Sequence, residues 1–460
     1  MASAGLNRAR DKMVEAGVDA AAIEVFAHYY RLLEHGETGM MPESSIEPLE
    51  MGSLAEAEVS PDDAAAAIRA TAVIKLNGGL GTSMGMDRAK SLLCVRSGLS
   101  FLDIIARQVL YLRQAHDATL PLIFMNSFRT SDDTMAALAR YENLKADGLP
   151  LEFLQNKEPK LLVKDLSPVL WPKEPDLEWC PPGHGDIYTA LVGSGLLAKL
   201  ADAGYRHVFV SNSDNLGAVP DARVAGWFAT SGAPFAIEAV RRTVSDKKGG
   251  HFARRRSDGR IVLRETAQTP KRDQEALADL SRHRYCSTNN LWFDIAAMQE
   301  TMAARRGVLG LPLIRNVKTV DPSDPSTPEV IQIETAMGAA IEVFEGAVTI
   351  EVGRDRFVPV KTTNDLLLLR SDVYDLGKDF VMDQASAELP YVDLDGHYFK
   401  LIGEFDKRFP EGAPSLRNAA SFRVGGDWTF GAGVKVVGDV DLKPGKTAQR
   451  VAPGTVLSDE

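Results

Sequence analysis

Apolar and polar positions change their spacing several times along this chain. Within residues 5–35, Ile23, Phe26, Tyr30 and Leu33 recur at three- and four-residue steps and Gly36 follows them, which predicts one helix ending at that glycine. The polar stretch holding Pro42, Glu43, Ser44, Ser45 and Pro48 reads as a linker. Ser60-Pro61-Asp62-Asp63 then supplies an N-cap, a first-turn proline and first-turn acids, opening a short helix through Ala70. From residue 71 short apolar runs alternate with longer amphipathic ones: strands near 73–76, 120–125 and 208–210, helices over 101–112 and 132–141. That alternation predicts an α/β domain with a mainly parallel sheet, in which ligands sit beyond the carboxyl ends of the strands. The Asp258-Gly259 pair marks a hairpin whose arginines, Arg254 to Arg260, read as a solvated tip. Residues 366–374 close the domain and the acidic stretch 375–395 reads as a linker. Beyond Ser421, glycine-spaced valine runs (Val434, Val436, Val437, Val440) predict the short strands of a β-solenoid. The division expected is an N-terminal helical segment over 1–70, a catalytic domain over 71–375, and a linker with a solenoid domain over 376–460.

Composition narrows the function. A chain of 460 residues, 45% apolar and 25% charged, has the make-up of a soluble enzyme of two or three domains. Its net charge of −11 argues against a nucleic-acid or anionic-membrane surface, so a polyanionic substrate must be met by local cations, backbone N–H groups or a bound metal. The 3 cysteines, Cys94, Cys180 and Cys286, are too scattered for a disulfide framework and read as free thiols. No run of apolar residues is long enough for a membrane span or a leader core, so a cytoplasmic location is expected.

The candidate chemistry starts in the stretch AVIKLNGGLGTSMGMDRAK, from Ala72 to Lys90. Val73, Ile74 and Leu76 have a buried strand's composition and feed directly into Asn77-Gly78-Gly79-Leu80-Gly81. Glycines let a chain approach a phosphate or base without a Cβ in the way, and successive amide N–H groups can then converge on one anion. A dinucleotide fingerprint from Gly79 needs a glycine where Met84 stands, and a Walker loop needs a Gly-Lys-Ser/Thr that this stretch lacks. The later Gly445-Lys446-Thr447 has Val440 in place of the leading glycine. By itself the loop is equally a tight turn.

Followed by Lys90 and by several separate motifs, the loop resembles that of nucleotidyltransferases that make nucleotide sugars. Over roughly residues 70 to 375 the chain is most similar to the eukaryotic-type UTP:glucose-1-phosphate uridylyltransferases, the UDP-glucose pyrophosphorylases. The resemblance implies a Rossmann-like, GT-A-like domain followed by a left-handed parallel β-helix. It implies UTP and glucose 1-phosphate as substrates, UDP-glucose and pyrophosphate as products, and Mg²⁺ held by Asp214. Lys90 and Lys361 correspond to the family's phosphate-contacting cations. Leu76, Asn77, Gly78, Gly79, Leu80 and Gly81 fall on the nucleotide side, with Met125, Pro182, Gly183, Asn212, Ser213 and Asp214. Gln155 matches the glutamine that reads uracil, for which a side-chain amide offers donor and acceptor together. His184, Gly250, Glu265, Asn289 and Phe357 correspond to the sugar side, which Asn212 shares. The block Gln332 to Ala340 reads as packing, and Arg354 and Arg356 equally as surface charge.

Three departures from the family pattern stand out: Ala89 where a proline is usual, Cys286-Ser287-Thr288 in place of Phe-Asn-Thr, and His251-Phe252 after the Gly249-Gly250 pair. They leave the sugar open, and a pyrophosphorylase for N-acetylglucosamine 1-phosphate or for several sugar 1-phosphates is the nearest alternative. A non-catalytic nucleotide-sugar sensor is the alternative from another class. The C-terminal domain is a candidate for homo-oligomer formation.

Overall fold

A computed structural model describes residues 4–243, 246, 247 and 249–459. Its centre is a seven-stranded sheet of β1 (Thr71–Asn77), β2 (Leu122–Asn126), β3 (Glu152–Leu154), β4 (His207–Asn212), β5 (Phe235–Arg241), β6 (Tyr285–Asp294) and β7 (Val348–Glu351). The spatial order is β7-β5-β6-β4-β1-β2-β3. β6 runs antiparallel to its neighbours β4 and β5, and every other pairing is parallel. The sheet is therefore mixed and mainly parallel, as the alternation predicted. β1, β2, β4 and β5 are buried along almost their whole length because helices cover both faces. Alternate residues divide between two cores. Val73, Phe124, Phe209 and Trp292 pack with the helices Phe101–His116 and Ala222–Ser231, while Ile74, Ile123, Val210 and Phe293 pack with Ile187–Gly193 and Leu196–Asp202.

This topology fixes where a ligand goes. The chain leaves β1 toward β2 on one side, and later enters β4 on the other. The carboxyl ends of β1 and β4, paired at Leu76 and Asn212, thus flank a topological switch point.

The helix expected over residues 5–35 is two helices, Ala4–Glu15 and Ala20–Glu34. Gly17 turns left-handed between them and the Asp19 carboxylate caps the second by accepting from Ala21 N. Their apolar faces pack on Leu161, Leu313, Ile331 and Ile333. The expected linker at 42–48 is ordered too: a turn at Glu43–Ser45 leads into the strand Ile46–Pro48, paired antiparallel with Arg255 to Ala253. One apolar residue suffices there, since Ile46 is buried against Ala253 and Val262 and an edge strand tolerates Pro48 at its end. The helix Pro61–Arg69 forms as predicted, with Ser60 Oγ accepting from Asp63 N at 3.1 Å.

The acidic stretch 375–395 also carries structure, a hairpin of Tyr374–Leu376 with Met382–Gln384 and then β8 (Tyr391–Leu394). β8 opens a parallel ladder with β9 (Ser415–Val424), β10 (Lys435–Leu442) and β11 (Val456–Ser458), and Trp428–Phe430 pairs in parallel with Gln449–Val451. Phe422, Phe430, Val436, Val440 and Val451 point inward, giving the short stacked strands that the valine spacing predicted. Among the described residues no helix is long and apolar enough to cross a membrane.

Candidate active site

β1 ends on Asn77, whose side-chain amide donates to Asn126 Oδ1 and Thr134 Oγ1, both at 2.8 Å. Both Nδ2 hydrogens are spent on tying the end of β1 to β2 and to the helix behind it, so the side chain has only its Oδ1 acceptor left for a ligand. The glycine loop then turns under Gln155: a Cβ on Gly78 would lie 2.7 Å from Gln155 Oε1, so a larger residue there would push the Gln155 amide out of its place. Gln155 Nε2 donates to Gly183 O at 2.8 Å. Gly183 itself has φ 79°, and a Cβ there would meet Thr335 O at 2.7 Å. Leu80 bridges to Ala89 and Lys90 N donates to Gly79 O at 3.2 Å, closing the loop on itself. Ala89 already has φ −54°, within the range a proline imposes, so its departure from the family leaves the approach to Lys90 in place.

Lys90 Nζ donates to Asp214 Oδ2 at 2.7 Å and to Val360 O. Asp214 follows the end of β4, and Ser213 N, donating to Leu76 O at 3.0 Å, holds that segment against β1. Leu76, Asn77, Gly78, Gly79, Lys90, Ser91, Met125, Gln155, Pro181, Gly183, His184, Asn212, Ser213 and Asp214 line one cleft of about 280 Å³. Most of the nucleotide set is thereby brought together. Leu80 and Gly81 instead shape the loop, while Pro182 faces a separate narrow pocket of about 30 Å³ walled by Phe26, Tyr29 and Leu311, room for a water or two.

His184 Nδ1 accepts from Met337 N at 3.0 Å, and burial lowers the ring's pKa to about 4. The imidazole is neutral near pH 7 with its hydrogen on Nε2, a donor at the cleft wall.

Of the sugar set, His184 and Asn212 line this cleft, whereas Gly250, Glu265, Asn289 and Phe357 do not. A Cβ on Gly250 would meet Glu265 Oε2 at 2.6 Å, so the carboxylate lies against bare backbone. Burial raises the Glu265 pKa, and the charge of Lys361 pulls it back, which puts that cation in the same neighbourhood. Asn289 adopts φ 58° and donates its N–H to Ser287 Oγ at 3.0 Å. Phe357 lies under the Arg354 guanidinium, 5.4 Å from its ring centre. Lys361 is exposed and follows Val360, whose N–H donates to Asp214 O at 3.1 Å.

Among the described residues Asp214 is the single carboxylate lining the cleft, and no group of three or more His, Cys, Asp or Glu side chains is placed to hold a metal. Mg²⁺ commonly takes one or two carboxylates and completes its shell with phosphate and water. A lone carboxylate therefore fits a cation that arrives with a polyphosphate, and no preformed protein cage is present among the described residues.

Arg356, read as possible surface charge, is buried. Its Nε and Nη2 reach Glu238 Oε2 and Oε1 at 2.6 and 2.7 Å, and Glu238 also accepts from Trp292 Nε1 at 2.9 Å and Asn290 Nδ2 at 3.0 Å. Burial works against the Arg356 charge, yet Glu238 holds its pKa above the ordinary value. Asn215 Oδ1 accepts from Val358 N at 2.8 Å, so this network anchors the turn that carries Lys361. The available signal was a glutamate inside the apolar strand Phe-Ala-Ile-Glu-Ala-Val-Arg, which must have a partner if buried. Lys75, also missed, donates to Ser211 Oγ at 2.8 Å and Ala218 O at 2.6 Å, with burial and then Arg356 bringing its pKa down to about 7.

A mainly parallel sheet that opens a glycine-lined cleft, with an ammonium and a carboxylate facing each other at its switch point, defines an α/β nucleotide-binding protein. The chain belongs to the UTP–glucose-1-phosphate uridylyltransferase family, whose model matches residues 23–437. It is 38% identical over 393 residues to the UTP–glucose-1-phosphate uridylyltransferase of Pyrus pyrifolia, covering 85% of this chain and 81% of that one. The corresponding protein of Hordeum vulgare is 37% identical over 374 residues, 80% of this chain and 76% of its own. A solved UDP-glucose pyrophosphorylase variant from Leishmania major, in complex with UDP-glucose, superposes with a TM-score of 0.94 at 43% identity over 100% of this chain and 99% of that chain. UDP-glucose phosphorylase from Trypanosoma brucei gives 0.93 at 40% identity, with 100% and 99% covered.

Proposed function

We infer that this protein transfers the uridylyl group of UTP to glucose 1-phosphate, giving UDP-glucose and pyrophosphate. The observation that carries the reading is the cleft itself: Lys90 and Asp214, 2.7 Å apart, share it with Gln155, Gly183 and His184. A phosphate oxygen of the sugar phosphate attacks the α-phosphorus in line, and the bond from that phosphorus to the pyrophosphate oxygen breaks. With a second pKa of about 6 the sugar phosphate is already an anionic nucleophile, so no general base is needed. His184 agrees, since its Nδ1 is occupied and its neutral ring offers a hydrogen bond rather than a base. Catalysis on this reading is positioning and charge neutralisation. Lys90 faces the α-phosphate, Lys361 meets the phosphates from the neighbouring turn, and Gln155 reads uracil. Glu265, Asn289 and the Gly250 backbone meet the sugar hydroxyls. Mg²⁺ on Asp214 would supply further charge neutralisation to the polyphosphate.

The finer architecture follows the same reading: a GT-A-like catalytic domain and a left-handed coil for the C-terminal ladder. The exposed Tyr391, Val437 and Val456 on that ladder support its use as a contact between copies. Three free thiols, two of them buried, support a cytoplasmic setting.

The deciding experiment measures pyrophosphate release from UTP with glucose, galactose and N-acetylglucosamine 1-phosphates. Glucose 1-phosphate should be preferred. UDP-glucose binding without pyrophosphate release from any of them would refute the assignment and leave a sensor. One observation favours a wider sugar range: Ser287, smaller than the family's usual residue, is the group that holds Asn289.

A further inference from the structure

We propose that Glu43, in the strap between the N-terminal helices and the sheet, is a positioning residue for the sugar half of the site. This rests on the reading that Gly250 and Glu265 meet the sugar. Those two residues sit at the end of the hairpin His251–Arg255 and Ile261–Arg264, where His251 pairs across from Arg264. Directly behind them is a buried layer of His251, Arg264 and His283, each no more than 1% exposed. Arg264 Nε donates to His251 Nε2 at 3.0 Å, and His251 stacks on His283 with ring centres 3.7 Å apart.

The anion of this layer comes from Glu43. Arg264 Nη2 lies 2.7 Å from its Oε2 in an ion pair without hydrogen-bond geometry, Arg282 Nε donates to Oε1 at 2.7 Å, and His283 Nε2 is 3.0 Å from Oε1. Glu43 is in turn fixed by its own N–H, which donates to Asp273 Oδ2 at 2.9 Å. The strap grips the far side of Glu265 as well. Met41 N donates to Gln268 O at 2.7 Å, and Gln268 Oε1 accepts from Glu265 N at 2.9 Å. The turn that presents Glu265 is thus held at Arg264 by Glu43 and at Gln268 by Met41. Without the Glu43 carboxylate the buried Arg264 guanidinium loses its counter-charge, and a buried unpaired cation relocates or draws in water. Either response shifts Glu265, the next residue, and Gly250, against which the Glu265 carboxylate rests. The nucleotide cleft has no residue in this layer.

The test compares wild type with Glu43→Gln and Glu43→Ala, using Glu47→Gln as the control, because Glu47 pairs with Arg256 at the surface of the same strap. Expected for the Glu43 variants is a rise of about tenfold or more in KM for glucose 1-phosphate, by analogy with the low end for removing a group that supports a metal ligand. KM for UTP should stay within about twofold, and the preference for glucose over galactose 1-phosphate should narrow. Affinity for UDP-glucose relative to UDP, measured by calorimetry, should fall in parallel. The control should match wild type. If the alanine variant does not fold, the glutamine variant, of the same size, carries the comparison. A lower Tm with both KM values and the UDP-glucose to UDP ratio unchanged overturns the proposal, as does a UTP KM that rises in step. Failure of the reaction assignment shows separately, as absent pyrophosphate release in wild type, and the affinity ratio still decides the role of Glu43.

Discussion

Replacing Lys90 with alanine should separate stability from turnover. The ammonium stands 2.7 Å from Asp214 Oδ2, with the two side chains 18% and 27% exposed. At an effective dielectric of 20, two unit charges at that distance attract by about 6 kcal/mol. For a partly exposed pair, desolvation and side-chain entropy offset nearly all of this, leaving about 0–1 kcal/mol. Val360 O loses a donor too, worth about another 1 kcal/mol. The melting temperature should therefore fall by only about 1–2 °C, at about 1 °C per kcal/mol for a chain of 460 residues. Turnover is a different matter. As charge builds on the transferring group, losing an aimed cation should cost about 10²- to 10³-fold, or roughly 2.7–4 kcal/mol, by analogy with an oxyanion donor. Thermal melts, UTP affinity and pyrophosphate release at saturating substrates measure the parts. A variant turning over near the wild-type rate would remove Lys90 from the chemistry, and a collapse of the fold would show that its role is structural.

Gln155→Ala should lower selectivity for UTP over CTP by about tenfold or more, since a hydrogen-bonding amide is lost from the base site; competition kinetics with the two nucleotides checks it, and an unchanged ratio denies the base-reading role. Glu238→Gln should cost about 3–5 kcal/mol in a urea melt, because Arg356 then stays buried without its carboxylate; stability close to wild type would contradict the anchoring network. Acid stability should depend on His184, whose folded pKa near 4 lies below its ordinary 6.5. The neutral form is favoured in the fold, so the contribution is complete above about pH 6.5 and declines as pH falls toward 4, where the unfolded chain takes up the proton first, by roughly 3 kcal/mol at most. Unfolding free energies between pH 7 and 4 should thus fall less steeply in His184→Asn, and parallel curves would refute this.

The parts of the fold that sequence reveals are those with local causes. β1 and the glycine loop are legible because an apolar run followed by Asn-Gly-Gly has few other structures open to it, and Ser60-Pro61-Asp62-Asp63 specifies a helix start within one turn. The helix break at Gly17 was hidden by apolar spacing that continues on both sides of it. The strand at Ile46 was hidden because its partner, Ala253, lies far along the chain, and only that pairing makes a polar strap ordered. The same limit governs the site. Lys90 and Asp214 are 124 residues apart, and no local pattern joins them; family resemblance supplied that pairing. Glu238 and Glu43 belong to no motif. Glu43 is recognisable only once the fold shows a buried arginine beside it; Glu238, inside an apolar strand, signals a buried partner without saying which, and so Arg356 read as surface charge.

The side chains of the site are hydrogen-bonded to the protein itself, and this bears on how it selects a ligand. Lys90 is held by Asp214 and Val360, Gln155 by Gly183, and His184 by Met337. On the proposed reading, ligand entry exchanges protein partners for ligand groups at Lys90 and Gln155 while leaving the backbone that carries them in place. Exchanging one hydrogen bond for another is nearly neutral, whereas breaking one without replacement costs about 1–3 kcal/mol. A nucleotide whose base cannot offer Gln155 both an acceptor and a donor therefore loses on entry what uracil keeps. The same holds for a phosphate that does not reach Lys90, which leaves the ammonium with Asp214. Discrimination in such a site comes from the cost of unreplaced partners, and the Gly183 carbonyl, which holds Gln155, is where that cost is set for the base.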